Sequence, residues 1–168
     1  MEIKLREWKF TDAQELARLA NNRKIWDNVR DQFPHPYTVH NADEWIAAVL
    51  GKKPMRNYAI TLDGKLAGSI GIVIQDDVGR CSAELGYWIG ESFWNQGVAT
   101  LAICQFIPLV WKNNPMLTRI FASVFDYNKA SMRTLEKNGF YLESIRRKSV
   151  IKNGQVGDDH LWVLLRNG

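Results

Sequence analysis

One run, Trp94-Asn95-Gln96-Gly97-Val98-Ala99-Thr100, limits what this chain can fold into more than any other stretch. It follows a strand-like segment, Glu84 to Ile89, and opens a long apolar helical pattern. Backbone N–H groups at a helix start lack intrahelical partners and sit at the positive end of the helix dipole, which suits a phosphate. Gly97 and Ala99 let a ligand approach that backbone closely. A second segment, Asn128-Lys129-Ala130-Ser131, runs on to Lys137-Asn138-Gly139-Phe140 and reads as a helix with a polar start, stopped at Gly139. Together the two segments imply a protein that holds a phosphorylated cofactor.

The rest of the chain reads as β-α-α-α-β-β-β-α-β-α-β-β. Residues 2–8 alternate apolar and polar as a half-buried strand. Thr11 with Gln14 forms a capping-box pattern ahead of Leu16 and Leu19. A short helix is expected over about 22–30, and Asn41 is the expected N-cap of a third helix through Trp45, Ile46 and Val49. Between them, Phe33-Pro34-His35-Pro36-Tyr37 reads as a fixed loop. Tyr58–Leu62, Asp63-Gly64 and Lys65–Ile74 make a hairpin, and Gly68 and Gly71 thin its second strand where something packs closely. A strand over 82–89, a helix over 97–112, a strand over 118–124, a helix over 129–137 and strands over 140–150 and 160–166 complete the order. No repeat or linker interrupts it, so residues 1–168 read as one domain, long enough for a sizeable core.

Composition excludes more than it assigns. Hydrophobic residues make up 46% and charged residues 24%, ordinary for a globular chain. No apolar run reaches ~18 residues, so no membrane span is expected, and the N-terminus lacks a secretory stretch. Cys81 and Cys104 stand alone, which fits a reducing cytoplasm and makes no metal site. The net charge of +4 helps attract an anionic cofactor. Its densest cluster, Arg146-Arg147-Lys148, reads as a solvated strand end rather than a nucleic-acid face. No Gly-x-x-x-x-Gly-Lys-Ser/Thr loop and no Gly-x-Gly-x-x-Gly run supports a nucleotide triphosphate or dinucleotide site.

The order of elements, the Gln96-Gly97-Val98-Ala99 turn and the Asn128-x-x-Ser131…Lys137-x-Gly139-Phe140 helix resemble the GNAT N-acetyltransferases. Ala83-Glu84-Leu85-Gly86-Tyr87-Trp88-Ile89, Phe93-Trp94 and Phe33-Pro34-x-Pro36-Tyr37 are similar to the branch that acetylates ribosomal-protein N-termini (alanine or serine). The resemblance spans residues 2–166. It implies a mixed α+β fold, a mostly antiparallel twisted sheet of about seven strands flanked by helices, acting as a monomer or a homodimer. It also implies acetyl-CoA as donor, with the pyrophosphate on the backbone of Gln96, Gly97, Val98, Ala99 and Thr100. The pantetheine arm would pair with the backbone of Trp88, Ile89 and Gly90 as an added strand, and Asn128 and Ser131 would face the lower part of the cofactor. Two departures stand out. Trp94 occupies a position where the family commonly has Arg or Gln, and Leu135 a position where many members have an acidic Tyr.

The implied chemistry moves an acetyl group to a primary amine by direct attack in a ternary complex. The amine must be neutral, the developing oxyanion needs donors and the thiolate benefits from a proton. Neutralising a lysine-like amine at pH 7 costs about 4.6 kcal/mol, an α-amine only about 1 kcal/mol. An enzyme acting on N-termini therefore asks little of its base. Glu84 is the candidate base, or else a structural carboxylate. Ser131 is the candidate acid at the sulfur, or else a first-turn serine bonding backbone. Asn128 is a simple N-cap of its helix, or an N-cap that also meets the cofactor. Arg30, Phe33 and Tyr37 are candidate acceptor walls. A lone loop His35 is a weaker base candidate. Trp26 and Trp45 read as core, and Glu143, Asp158 and Asp159 as a solvated hairpin. Two alternatives stay open: acetylation of a small amine (polyamine, aminoglycoside or amino acid), and a non-catalytic module that only binds coenzyme A.

Overall fold

The computed structural model describes residues 1–167. The chain forms two compact units, one of Met1–Gly71 with Tyr87–Phe106, the other of Ile72–Gly86 with the residues from Ile107 on. Strand pairing gives a seven-stranded order, β1-β2-β3-β4-β5-β7-β6, and the elements follow the expected sequence.

In the first unit β1 (Ile3–Arg6), β2 (Asn57–Leu62) and the start of β3 (Lys65–Ile74) pair antiparallel. Asp63 (φ 49°) and Gly64 (φ 81°) turn the hairpin through two left-handed residues, as the Asp-Gly pair predicts. Helices α1 (Ala13–Ala20), α2 (Arg23–Trp26) and α3 (Val39–Val49) belong to the same unit. Its core gathers Trp8, Leu16, Leu19, Tyr37, Ile46, Ala59 and Leu66. Two helix starts differ from expectation. Thr11 lies in a 3-10 turn, and Asp12 ties the entry to α1 by accepting from the Lys9 N–H (2.9 Å) and from Arg6 (2.8 Å). The N-cap of α3 is Thr38: its Oγ1 accepts from the Asn41 N–H, while Asn41 Oδ1 accepts from the Thr38 N–H. Asn41 is thus the reciprocal partner in a capping box rather than the cap. The helix expected over 22–30 is one turn, capped by Asn22. Trp26 is half-buried, and Trp45, also half-buried, packs against this core.

In the second unit β4 (Ser82–Ile89) starts parallel to β5 (Arg119–Phe125), with Glu84 level with Phe121. Helix α5 (Lys129–Lys137) leads into β6 (Tyr141–Lys152), which turns through Asn153 and Gly154 into β7 (Gln155–Leu165). Strand β7 runs antiparallel to both β5 and β6. It starts five residues before the expected 160, because the hairpin keeps its ladder from Lys152↔Gln155 onward. Alternation along β5 is strict: Ile120, Ala122 and Val124 are buried, while Phe121, Ser123 and Phe125 are half-buried on the other face. Strand β6 is interrupted by a wide bulge. Arg146 pairs with Asp159 and the next registered pair is Val150↔Gly157, four steps on one strand against two on the other. Lys148, at φ 53°, sits in that bulge. The basic cluster is therefore inside a strand, not at its solvated end.

Helix α4 (Val98–Asn113) runs through both units and contains Pro108. A proline there removes one i→i−4 bond, yet the helix continues to Asn113.

Candidate active site

The end of β4 is set by close backbone contact. A Cβ on Gly68 would stand 2.2 Å from the Trp88 carbonyl oxygen, so only glycine lets β3 approach there. One residue on, the Gly90 N–H donates to the Ala67 oxygen (2.8 Å), and a Cβ on Gly90 would meet Leu19 at 2.8 Å. A single 3-10 turn, Glu91–Phe93, follows. Glu91 accepts from Lys24 Nζ (2.9 Å) and Asn22 Nδ2 (3.1 Å), and the Lys24 bond holds its carboxyl below the usual range.

The phosphate turn comes next. Trp94 Nε1 donates to the Ile89 oxygen at 2.7 Å, which ties the turn back to the strand end. This indole bond is what Trp94 supplies where the family commonly has Arg or Gln, and the aromatic departure was the signal for it. Asn95 (φ 61°) and Gly97 (φ 74°) are both left-handed, and Gln96 Nε2 donates to the Ser92 oxygen. Helix α4 then starts at Val98, anchored by its buried side chain. The N–H groups of Val98 and Ala99, in the first turn, have no acceptor within the helix by its geometry, and a Cβ at Gly97 would meet nothing within 4 Å. Open space over a run of helix-start donors fits a phosphate-bearing cofactor.

Beside the strand end, in the same unit, Phe33 packs against Tyr37 (centroids 5.2 Å) and edge-on to Trp88 (6.1 Å). Trp26 holds the loop, donating Nε1 to the Phe33 oxygen, stacking on His35 and lying under Arg23. Phe33 and Trp88 are half-buried; Tyr37 is buried, and burial pushes its phenol up to about 12. Arg30 is exposed, and its carbonyl oxygen accepts from the Phe33 N–H (3.0 Å).

In the second unit Glu84 is half-buried on the face of β4 that continues into Phe121 and Ser123 of β5, opposite the buried Ala83 and Leu85. Asn128 caps α5, its Oδ1 accepting from the Ser131 N–H at 3.3 Å, so these two expected residues are joined. Leu135 is fully buried, so the position where many relatives carry an acid serves the core. Gly139 (φ 85°) ends α5 as expected, and Phe140 is buried. The late carboxylates depart from expectation. Asp159 is buried and accepts from Arg146; Glu143 takes both Arg119 nitrogens (2.6 and 2.8 Å); Asp158 accepts from the Lys148 N–H. None of the three is simply solvated. The pairing of Arg146 with Asp159 is not readable in the sequence, because the two meet only through the β6–β7 register.

Among the described residues no group of His, Cys, Asp and Glu side chains is disposed to hold a metal ion, and no helix is long and apolar enough to cross a membrane. Comparison with known proteins is specific. The model of the acetyltransferase (GNAT) domain matches residues 2–141. YjcK of Bacillus subtilis (strain 168), a probable N-acetyltransferase, is 28% identical over 180 residues, covering 98% of this chain and 94% of its own. AaaT of Escherichia coli (strain K12), an L-amino acid N-acetyltransferase, is 23% identical over 158 residues, covering 94% of each. Among solved structures, RimL, a ribosomal alpha-N-protein acetyltransferase in complex with coenzyme A, superposes with a TM-score of 0.83 at 19% identity, covering 97% of this chain and 93% of that one. With the family model matching most of its length, the chain belongs to the GNAT family and is an acetyl-CoA-dependent N-acetyltransferase.

Proposed function

We propose that this enzyme acetylates the α-amine of a peptide or protein N-terminus by direct attack within a ternary complex. The observation that carries the reading is Glu84: a half-buried carboxylate on the strand leading to the phosphate turn, on the sheet face away from the buried Ala83 and Leu85. A modest base of this kind is sufficient for an α-amine, whose neutralisation costs about 1 kcal/mol at pH 7. Similarity to RimL supports the same acceptor class. A second reading, a free amino acid as acceptor, is favoured by the similarity to AaaT over nearly the whole chain.

When bound, acetyl-CoA supplies an acetyl thioester to be attacked. The backbone of Gln96 to Thr100 would hold the pyrophosphate, and that of Trp88 to Gly90 would hold the arm. Glu84 takes the proton from the acceptor ammonium, directly or through water. Asn128 fixes the start of α5, and the Ser131 hydroxyl would be the proton donor for the thiolate that a bound acetyl thioester would release. Phe33 and Tyr37, with Arg30 at the rim, form the acceptor wall.

The test is release of free thiol from acetyl-CoA with a panel of α-amine peptides, free amino acids, polyamines and aminoglycosides. Peptide-dependent release, lost about a hundredfold in kcat in Glu84→Gln with an unchanged KM for acetyl-CoA, is the expected result. Release by polyamines or aminoglycosides alone overturns the acceptor class. Full turnover by Glu84→Gln removes that residue from the mechanism.

A further inference from the structure

The open face of β4, β5, β7 and β6 carries a guanidinium that the chemistry above does not use. Arg146 pairs with Asp159 across the β6–β7 ladder, and its Nη2 donates to the Asp159 carboxylate and, at 3.1 Å, to Ser123 Oγ. The partners differ in exposure: the Asp159 side chain is 6% exposed, that of Arg146 52%. A buried carboxylate is costly unless paired, so Asp159, with Ser123, occupies the two N–H bonds of Nη2, while the Arg146 side chain stays half-exposed. The backbone is pinned too. Ser149 Oγ donates to the Arg146 oxygen (2.7 Å), and the Lys148 N–H donates to Asp158 Oδ1 (2.9 Å), which fixes the bulge immediately after Arg146.

Position gives this arrangement a meaning. Ser123 is two residues along β5 from Phe121, the register partner of Glu84, and all three are on one face. Strand spacing and rise place the Cα atoms of Glu84 and Ser123 on the order of 8 Å apart. The guanidinium N–H groups outside the pairing with Asp159 and Ser123 can each give a carboxylate oxygen a charge-assisted hydrogen bond. We propose that Arg146 is a specificity-determining residue that receives a carboxylate of the acceptor, a few bonds from the amine served by Glu84. The inference rests on the acceptor reading given above. Two sources share this chemistry: an acidic side chain at the first or second position of a peptide N-terminus, and a free acidic amino acid.

The experiment compares kcat/KM for matched pairs: peptides with Asp or Glu at position one or two against their Asn or Gln versions, and free glutamate against glutamine. Wild-type enzyme is expected to prefer the acidic member of a pair by about ten- to a hundredfold. In Arg146→Gln that preference disappears through KM of the acceptor, with KM for acetyl-CoA unmoved. Because Arg146→Gln leaves Asp159 buried without its partner, the double variant Arg146→Gln/Asp159→Asn is measured beside it, each checked by thermal unfolding. Preference within the peptide pairs assigns the carboxylate to a peptide, preference for glutamate to a free amino acid; both support the role of Arg146. No preference in wild type, one that persists in the folded double variant, or equal loss across neutral and acidic acceptors overturns it. If no amine releases thiol, the acceptor reading itself fails, and calorimetric titration of an acidic peptide into wild type and the double variant then decides Arg146 alone: weaker binding to the variant supports it and equal binding overturns it.

Discussion

Gly68 has no side chain, and that absence decides where β4 can lie. The space a Cβ would need is taken by the carbonyl of Trp88, a backbone atom that cannot swing aside as a side chain would. Gly68→Ala must therefore push the strand end away from β3. The expected cost is about 1–3 kcal/mol in urea unfolding, together with a raised KM for acetyl-CoA, since Trp88 to Gly90 is the stretch proposed to hold its arm. A variant with wild-type KM would separate the fit of the strand end from cofactor binding. Half of this was legible in the sequence: a glycine breaking an otherwise β-rich run signals close approach, but not which atom approaches. Trp94 was legible in the same partial way, as a departure from Arg or Gln whose replacement bond only the folded turn reveals. The pairing of Arg146 with Asp159 was not legible, because they stand thirteen positions apart with a bulge between them.

At the scale of elements, helix type and order were readable and helix entry was not. Thr38 and Asn41 are both good capping residues three positions apart, and each bonds the other's backbone N–H. Which one is the cap depends on how the preceding loop arrives, and that loop is fixed from afar, by the Tyr37 N–H donating to Asn21 Oδ1. For α5 the cap was unambiguous, since Asn128 precedes a run with no competing Ser, Thr, Asn or Asp before Ser131. Asn128→Ala is expected to cost about 1 kcal/mol by chemical denaturation, and Asn128→Asp to retain most of the stability. A null result for Asn128→Ala would mean that the bond to the Ser131 N–H contributes nothing net. Strand ends were misjudged where hairpins extend them: β7 starts at Gln155 because the Asn153-Gly154 turn keeps both arms paired.

The whole molecule has a pH window whose two limits lie in the first unit. At the acid limit stands Asp12. Burial raises its pKa, but the bonds from Arg6 and from the Lys9 N–H outweigh that and leave it below the ordinary value of 3.8. Its contribution is full above that value and is lost as pH falls through the folded pKa. At the alkaline limit stand Tyr37, pushed by burial to about 12, and Tyr58, raised by burial from 10.0. The folded state keeps protons that the unfolded chain has released, so stability declines from about pH 10 toward 12. Melting temperature against pH should show both limbs, with Asp12→Asn flattening the acid one and Tyr37→Phe the alkaline one. Unchanged limbs would assign them to other groups. One more consequence belongs to this scale. Strand β6 ends the sheet and is exposed along nearly all of its twelve residues, with Tyr141, Leu142, Ile145 and Ile151 among them. A straight edge of that length would template a neighbouring chain and seed aggregates. Register shifts at Leu142/Ser144 and Arg146/Val150 break the spacing of its backbone donors and acceptors, and Arg147 and Lys148 place charge at the second break. The irregularity that steadies Arg146 thereby also makes that edge a poor template for a second chain.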